Sequence, residues 1–327
     1  MNKNKLKRKP SLKHDLALRV ARFFYRNTPW LFTSVVDLLA KFVAKSTLHR
    51  LSDYSQLMRI EKPIGFFLLL WPTLWALFLA SNKAPDLTIL IVFIIGTFLM
   101  RSAGCVINDF ADRNFDQHVA RTKLRPLARK SISSEEAIAL FVVLLTLAFI
   151  LVLFLNRFTI GLSFIAVAIA FAYPFMKRHT YFPQLILGAA FAWSIPMAYA
   201  AVNNTIALEA WILYISTLLW VLAYDTFYGM VDRKDDIKIG IKSTAILFGD
   251  ADLSIIAIIQ ALFMFGMLLV GQRYQLDWPY YFSWFVAIAL IGYQFWIARK
   301  RQPEQCFKAF LNNNYVGLVF FIGIIFA

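Results

Sequence analysis

The stretch Asn108-Asp109-Phe110-Ala111-Asp112-Arg113-Asn114-Phe115-Asp116 decides how this chain is read, because it sets three carboxylates at the end of a long apolar run. A second stretch, Asp225-Thr226-Phe227-Tyr228-Gly229-Met230-Val231-Asp232-Arg233-Lys234-Asp235-Asp236, repeats the arrangement 116 residues later, counted from Asp109 to Asp225. Ionisable groups at a membrane edge are costly and are seldom kept without a task. On a helix, positions i, i+3 or i+4, and i+7 share a face. Asp109, Asp112 and Asp116 are therefore expected on one helical face, with Asn108 beside them. Asp225, Asp232 and Asp236 fit the same rule, with Tyr228 and Asp235 adjoining.

The rest of the chain supplies the membrane. Its 327 residues are 60% hydrophobic, and the mean hydropathy is +0.61, more apolar surface than a soluble domain can bury. Runs near the roughly 20 residues needed to cross a bilayer predict nine helical spans. They fall near 64–81, 87–107, 135–155, 158–176, 182–202, 208–230, 252–272, 278–298 and 307–327. Pro72 and Pro196 are expected to kink their spans rather than end them. The alternating ten-residue strands of an outer-membrane barrel are missing. The expected fold is all-α, a multi-pass transmembrane helix bundle.

Charge orients the bundle. The loops after spans two, four, six and eight carry sixteen Lys and Arg, against three in the loops after spans one, three, five and seven. By the positive-inside rule the N-terminus and both acidic stretches are expected at the cytoplasmic face. Residues 1–56 read as a basic extension before a membrane domain at 57–327. The extension opens with Lys3, Lys5, Lys7, Arg8 and Lys9, suited to anionic lipid. Its stretch near 31–45 has the pattern of an interfacial amphipathic helix. The Arg-rich, acid-poor start is also compatible with a mitochondrial transit peptide.

Several chemistries are excluded, while a membrane transporter with a cytoplasmic acidic site stays as the alternative of a different class. Cys105 and Cys306 are too few for a disulfide framework or zinc site, and His14, His49, His118 and His179 have no ligand spacing. No Gly-rich phosphate loop or Gly-x-Ser-x-Gly elbow occurs, and nothing calls for nucleic acid or for an obligate protein partner. An intramembrane aspartyl protease would need Gly-x-Gly-Asp, but position 247 is Leu. A transporter would place its acids nearer mid-membrane, in broken helices.

Paired carboxylate helices suit Mg²⁺, which takes oxygen ligands and bridges one or two carboxylates to substrate phosphates. Asp109, Asp112, Asp116, Asp225, Asp232 and Asp236 are the candidate ligands. Cations to neutralise a diphosphate are available at Arg121, Arg125, Lys177, Arg178, Lys238 and Lys242. Arg101 lies inside the second span, seven residues before Asn108 and so on its face. An intramembrane Arg there suits the carboxylate of a small acid.

With these motifs in hand, the chain resembles the UbiA superfamily of intramembrane aromatic prenyltransferases. Its two acidic stretches match that family's Asn-Asp-x-x-Asp-x-x-x-Asp and Asp-x-x-Tyr-x-x-x-Asp-x-x-Asp signatures. Also similar are Arg59-Ile60-Glu61-Lys62-Pro63-Ile64-Gly65, Leu70-Trp71-Pro72-Thr73-Leu74-Trp75-Ala76-Leu77 and Met100-Arg101-Ser102-Ala103-Gly104-Cys105. Two further similar segments are Gly240-Ile241-Lys242-Ser243-Thr244-Ala245 and Asn312-Asn313-Asn314-Tyr315-Val316-Gly317. The resemblance covers about residues 57–327 and is strongest to the bacterial members that prenylate 4-hydroxybenzoate. It implies nine transmembrane helices around a central cavity with a cytoplasmic-side cap, and Mg²⁺-dependent transfer of a polyprenyl chain from polyprenyl diphosphate to the carbon ortho to the phenol, a step of ubiquinone synthesis. It implies a bacterial inner membrane, with the mitochondrial inner membrane as the alternative. Under it, Arg121, Arg125 and Lys177 stabilise the leaving diphosphate, and Arg101, Asn108, Tyr228 and Lys242 bind substrates. Menaquinone, haem-farnesyl and chlorophyll enzymes of the family share the aspartates. Gly229 stands where the usual motif has Ala.

Overall fold

The computed structural model describes residues 45–82, 84–118 and 122–327. The expected interfacial stretch at 31–45 falls almost wholly outside them. A first helix, α1 (Lys45–Leu57), leads into α2 (Ile64–Ser81) and α3 (Leu87–Asp112). After a 3-10 turn at Asp116–His118 come α4 (Ser134–Val152), α5 (Arg157–Met176), α6 (Pro183–Ala192) and α7 (Ser194–Asn203). Next are α8 (Leu208–Ile239), the short α9 (Thr244–Phe248), α10 (Asp252–Arg273), α11 (Trp278–Ala298) and α12 (Pro303–Phe326). Among the described residues, nine helical segments are long and apolar enough to cross a membrane, with α6–α7 and α9–α10 each counted as one.

The differences from the expected spans have local causes. Pro196 has no N–H for the Ala192 carbonyl, and the helix breaks for one residue at Trp193 between α6 and α7. Pro72 leaves α2 continuous. The sixth span does not stop near residue 230. α8 runs 32 residues, about 48 Å, until Gly240 closes it at φ 74°. Acidic side chains end a hydropathy run but not a helix, so the second acidic stretch stays helical throughout. The first does not. α3 ends at Asp112, and Phe115 N–H bonds back only three residues, to the Asp112 carbonyl at 2.8 Å. Asp116 therefore leaves the helix on which spacing had placed it and sits in the 3-10 turn.

The core is aromatic. Trp220 packs against Trp75 at 5.3 Å and against Phe263 at 5.9 Å between ring centroids, and Phe320 closes the cluster against Trp75 and Phe263. Several polar side chains of this interior pair across helices, as apolar surroundings favour. Trp220 Nε1 donates to Asn313 Oδ1 at 2.9 Å, and Gln294 Nε2 donates to Asn312 Oδ1 at 3.0 Å. At Gly317 a Cβ would lie 2.4 Å from Trp71 Cδ1, so only glycine lets α12 approach α2 this closely.

Beside the second acidic stretch, Asp252 at the start of α10 is fully buried. It is paired with Arg233 of α8 and with Arg301, whose Nε stands at 2.9 Å. Asp252→Ala would leave Arg233 largely buried without its counter-ion, at a cost of about 3 kcal/mol. A lower unfolding temperature in detergent is expected, with Asp252→Glu milder, and an unchanged melt would contradict the assignment.

Expectation set a boundary after residue 56. That point falls inside α1, whose Leu57 is fully buried with Ala103, Val106 and Leu127. Arg50 donates to Glu136 at 2.6 Å, and Asp53 pairs with Arg129, so α1 braces the segment that carries Arg125.

Candidate active site

α3 and α8 both deliver their C-terminal ends, with the acidic stretches, to one cavity of about 920 Å³. Helix C-termini carry partial negative charge. Adding carboxylates there raises the demand for cations, and the structure brings them from three other elements. Arg59, after α1, donates to Asp109 Oδ1 at 2.7 Å. Arg125 Nη1 donates to the same oxygen at 3.1 Å and to Asp116 Oδ2 at 2.8 Å. Lys177, at the end of α5, pairs with Asp112 Oδ2. Asp116 thus rejoins Asp109 through a shared guanidinium, although it left their helix. Burial pushes the Asp116 carboxyl above the usual carboxylate range, and Arg125 opposes the shift.

Of the expected site residues, Asp109, Asp112, Asp116, Asp225, Asp232 and Asp236 all line this cavity, as do Arg101, Asn108, Arg125, Lys177, Tyr228 and Lys242. Arg121 lies outside the described residues. Arg178 and Lys238 are turned to other tasks: Arg178 donates to the Ala111 carbonyl and lies over the Phe115 ring, and Lys238 pairs with Asp235 at 3.2 Å. Lys242 stands at the rim, where its Nζ donates to the His179 carbonyl at 3.3 Å. Tyr228 packs against Phe310, 5.0 Å between centroids.

Arg101 is about 12 Å deeper along α3 than Asp109, within electrostatic reach of Asp225. Its Nη1 donates to Cys105 Sγ, while its buried Nε has no hydrogen-bond partner. The guanidinium lies against Gly65, where a Cβ would come within 2.3 Å of Nη2. Gly96 and Gly104 of α3 have nothing within 4 Å of a would-be Cβ, so their missing side chains help hold the chamber open.

Arg59 has no signature in spacing or periodicity. Its segment was notable only for its resemblance. At φ 55° it occupies the left-handed position that ends α1, where glycine is usual. The Ile60 N–H bond to the Ser55 carbonyl and the Arg59 N–H bond to the Gln56 carbonyl complete a Schellman motif. A non-glycine residue there costs about 1 kcal/mol, a strain of the kind that marks functional positions. Tyr173 and Gln184 also line the cavity without having been singled out.

Among the described residues no three acidic, His or Cys side chains form a ready metal cage. The oxygen-only donor set nonetheless fits Mg²⁺, which binds through few carboxylates with water and phosphate completing its shell. Asp112 lines the cavity, and its buried Oδ1 has no hydrogen-bond partner, an acceptor suited to a cation.

Residues 69–324 match the model of the UbiA prenyltransferase family. The chain belongs to that family. It is 57% identical over 272 residues to the 4-hydroxybenzoate octaprenyltransferase of Aeromonas hydrophila subsp. hydrophila, covering 83% of this chain and 95% of that one. It is 53% identical over 283 residues to the protein of that name from Pseudomonas savastanoi pv. phaseolicola, covering 85% and 96%. Among solved structures it resembles a UbiA homolog from Aeropyrum pernix K1, with a TM-score of 0.71, 25% identity and coverage of 80% and 97%. A UbiA homolog from Archaeoglobus fulgidus, solved with GPP and Mg²⁺, shares the fold at 16% identity, with a TM-score of 0.61 and coverage of 84% and 100%. As a UbiA-family chain with nine helices among the described residues long and apolar enough to cross a membrane, this is a multi-pass membrane protein.

Proposed function

We propose that this UbiA-family protein transfers a polyprenyl group from polyprenyl diphosphate to the ring carbon ortho to the hydroxyl of 4-hydroxybenzoate, with Mg²⁺, in ubiquinone biosynthesis. The observation that carries this reading is one chamber holding both acidic stretches at its mouth and Arg101 deeper within. Identity of 53% and 57% to proteins named 4-hydroxybenzoate octaprenyltransferase supports the same acceptor.

Mg²⁺, when bound, would withdraw charge from the diphosphate, and Asp112, Asp116, Asp225, Asp232 and Asp236 are the residues to hold it. The chain's own cations do the rest of that work. Arg125 and Lys177 offer preorganised positive charge to the leaving group as the allylic carbon–oxygen bond breaks. Arg121, four residues before Arg125 in the sequence, is proposed to join them. Asn108 and Lys242, which line the same cavity, would contact the polar head, and the Tyr228 ring would stabilise the allylic cation. Arg101 holds the carboxylate of the acid, which presents the electron-rich carbon beside the phenol. Diphosphate departs with the electron pair of the broken carbon–oxygen bond, the ring carbon attacks the allylic cation, and the ring proton passes to the released diphosphate as aromaticity is restored. The apolar walls exclude the water that would otherwise quench the cation.

The tail has room. Lining residues run along α3 from Asp109 back to Val92, about 25 Å. Leu145, Ala148 and Val152 of α4 and Ala166, Val167 and Ala170 of α5 continue the wall. The positive-inside count supports a cytoplasmic mouth in a bacterial inner membrane.

The test is incorporation of radiolabelled 4-hydroxybenzoate into lipid from polyprenyl diphosphate, with and without Mg²⁺; no metal-dependent product would refute the proposal. Gly65→Ala gives a finer check. Its methyl would displace the Arg101 guanidinium, the movable end of a flexible side chain. The KM for 4-hydroxybenzoate is expected to rise about tenfold while the KM for the diphosphate holds. An unaltered KM for the acid would remove Arg101 from the acid site.

A further inference from the structure

Six aspartates share the chamber, but one of them is engaged differently. The geometry points to Asp109 as a positioning residue: its carboxylate aims Arg59 and Arg125 together at the diphosphate and does not ligate metal. This rests on the diphosphate-transfer reading above.

A single oxygen, Asp109 Oδ1, accepts from Arg59 at 2.7 Å and from Arg125 at 3.1 Å. The side chain is 2% exposed, so water does not screen the contacts. A dication at that oxygen would meet two guanidinium charges already seated against it. Asp112, which also lines the cavity, differs in kind: one of its oxygens takes Lys177, and the other is buried with no hydrogen-bond partner. Two carboxylates one helical turn apart are therefore sorted by their neighbours, one toward metal and one toward arginine.

The arginines need such an anchor. Two guanidinium groups beside one oxygen repel each other, and the Asp109 charge between them holds them together, with Asp116 as a second partner for Arg125. Arg125 comes from a loop braced by α1, and Arg59 from a left-handed turn at the end of α1. Neither is fixed by a transmembrane helix, whereas Asp109 is in the last turn of α3. Asp109 therefore transfers the rigidity of the bundle to two groups that lie outside it. Arginine held in a set orientation can grip phosphate with two parallel bonds, which a freely turning one does less well.

The experiment measures binding of geranyl diphosphate to the purified full-length protein in detergent, by calorimetry, across a Mn²⁺ series. For Asp109→Asn, the Kd for geranyl diphosphate at saturating Mn²⁺ should rise about tenfold, the size expected when positioned charge-assisted contacts to phosphate are lost. The Mn²⁺ concentration giving half-maximal binding should stay near the wild-type value. Asp112→Asn should instead raise that metal requirement. Arg59→Gly removes the cation at a position where glycine suits the backbone better. It should fold normally, weaken geranyl diphosphate like Asp109→Asn, and add little to it in the double variant. An Asp109→Asn protein whose metal requirement shifts as far as that of Asp112→Asn would overturn the inference, as would fully additive losses in the double variant. Wild-type protein that binds no geranyl diphosphate with Mn²⁺ would instead strike the proposed function itself.

Discussion

Asp112→Asn is expected to lower turnover about a thousandfold or more, the scale on which loss of one preorganised electrostatic contact is felt in a dry site. The substitution keeps shape and removes charge. It takes from the cavity the carboxylate oxygen that is buried without a hydrogen-bond partner, and it takes from Lys177 its counter-ion. Both changes act where the diphosphate charge develops. The defect should fall on kcat and on the Mg²⁺ requirement together, and excess Mg²⁺ should restore little. The protein should still insert and purify, because Asp112 anchors no core packing. Turnover of the labelled acid at saturating Mg²⁺, measured beside a melting curve, checks this. Activity within tenfold of wild type would exclude Asp112 from the metal site.

The second large effect is at Arg101. Arg101→Ala should raise the KM for 4-hydroxybenzoate about a hundredfold, as expected for a charge-assisted pair lost in a low-dielectric chamber. The KM for polyprenyl diphosphate should change little. The guanidinium is deeper than the acidic mouth and its Nε has no hydrogen-bond partner, so it has donor capacity to offer. Arg101→Lys keeps the charge but not the planar fork and should recover part of the loss. An analogue lacking the carboxylate should be used equally poorly by wild type and Arg101→Ala. A loss confined to the diphosphate would place Arg101 with the leaving group instead.

The nine spans were legible because the bilayer imposes a length and an apolar composition on each of them. Their ends were less so. Asp232 and Asp236 stopped the apolar run near residue 230, yet α8 continues to Ile239, since a helix satisfies its own backbone whatever its side chains face. Asp116 was misplaced for the opposite reason. Helical spacing holds only while the helix lasts, and α3 ends at Asp112. The residue still reaches the chamber, through a turn and a bond to Arg125 that no spacing rule contains. Arg59 was visible only as part of a resembling segment, because a lone basic residue beyond a helix end has no period.

By itself the sequence determined the class of protein, the family, the nine spans found among the described residues, and the acidic and basic residues that gather at one chamber. These follow from local composition and from motifs short enough to lie on one element. The tertiary structure alone decided how the charges are shared. Arg59, Arg125 and Lys177 come from three separate segments, and which carboxylate each one takes depends on distances across the bundle. Coulomb energy falls with separation and grows with burial. Chemically alike aspartates therefore acquire different roles only once folding sets how near each stands to an arginine, and how dry the space between them is.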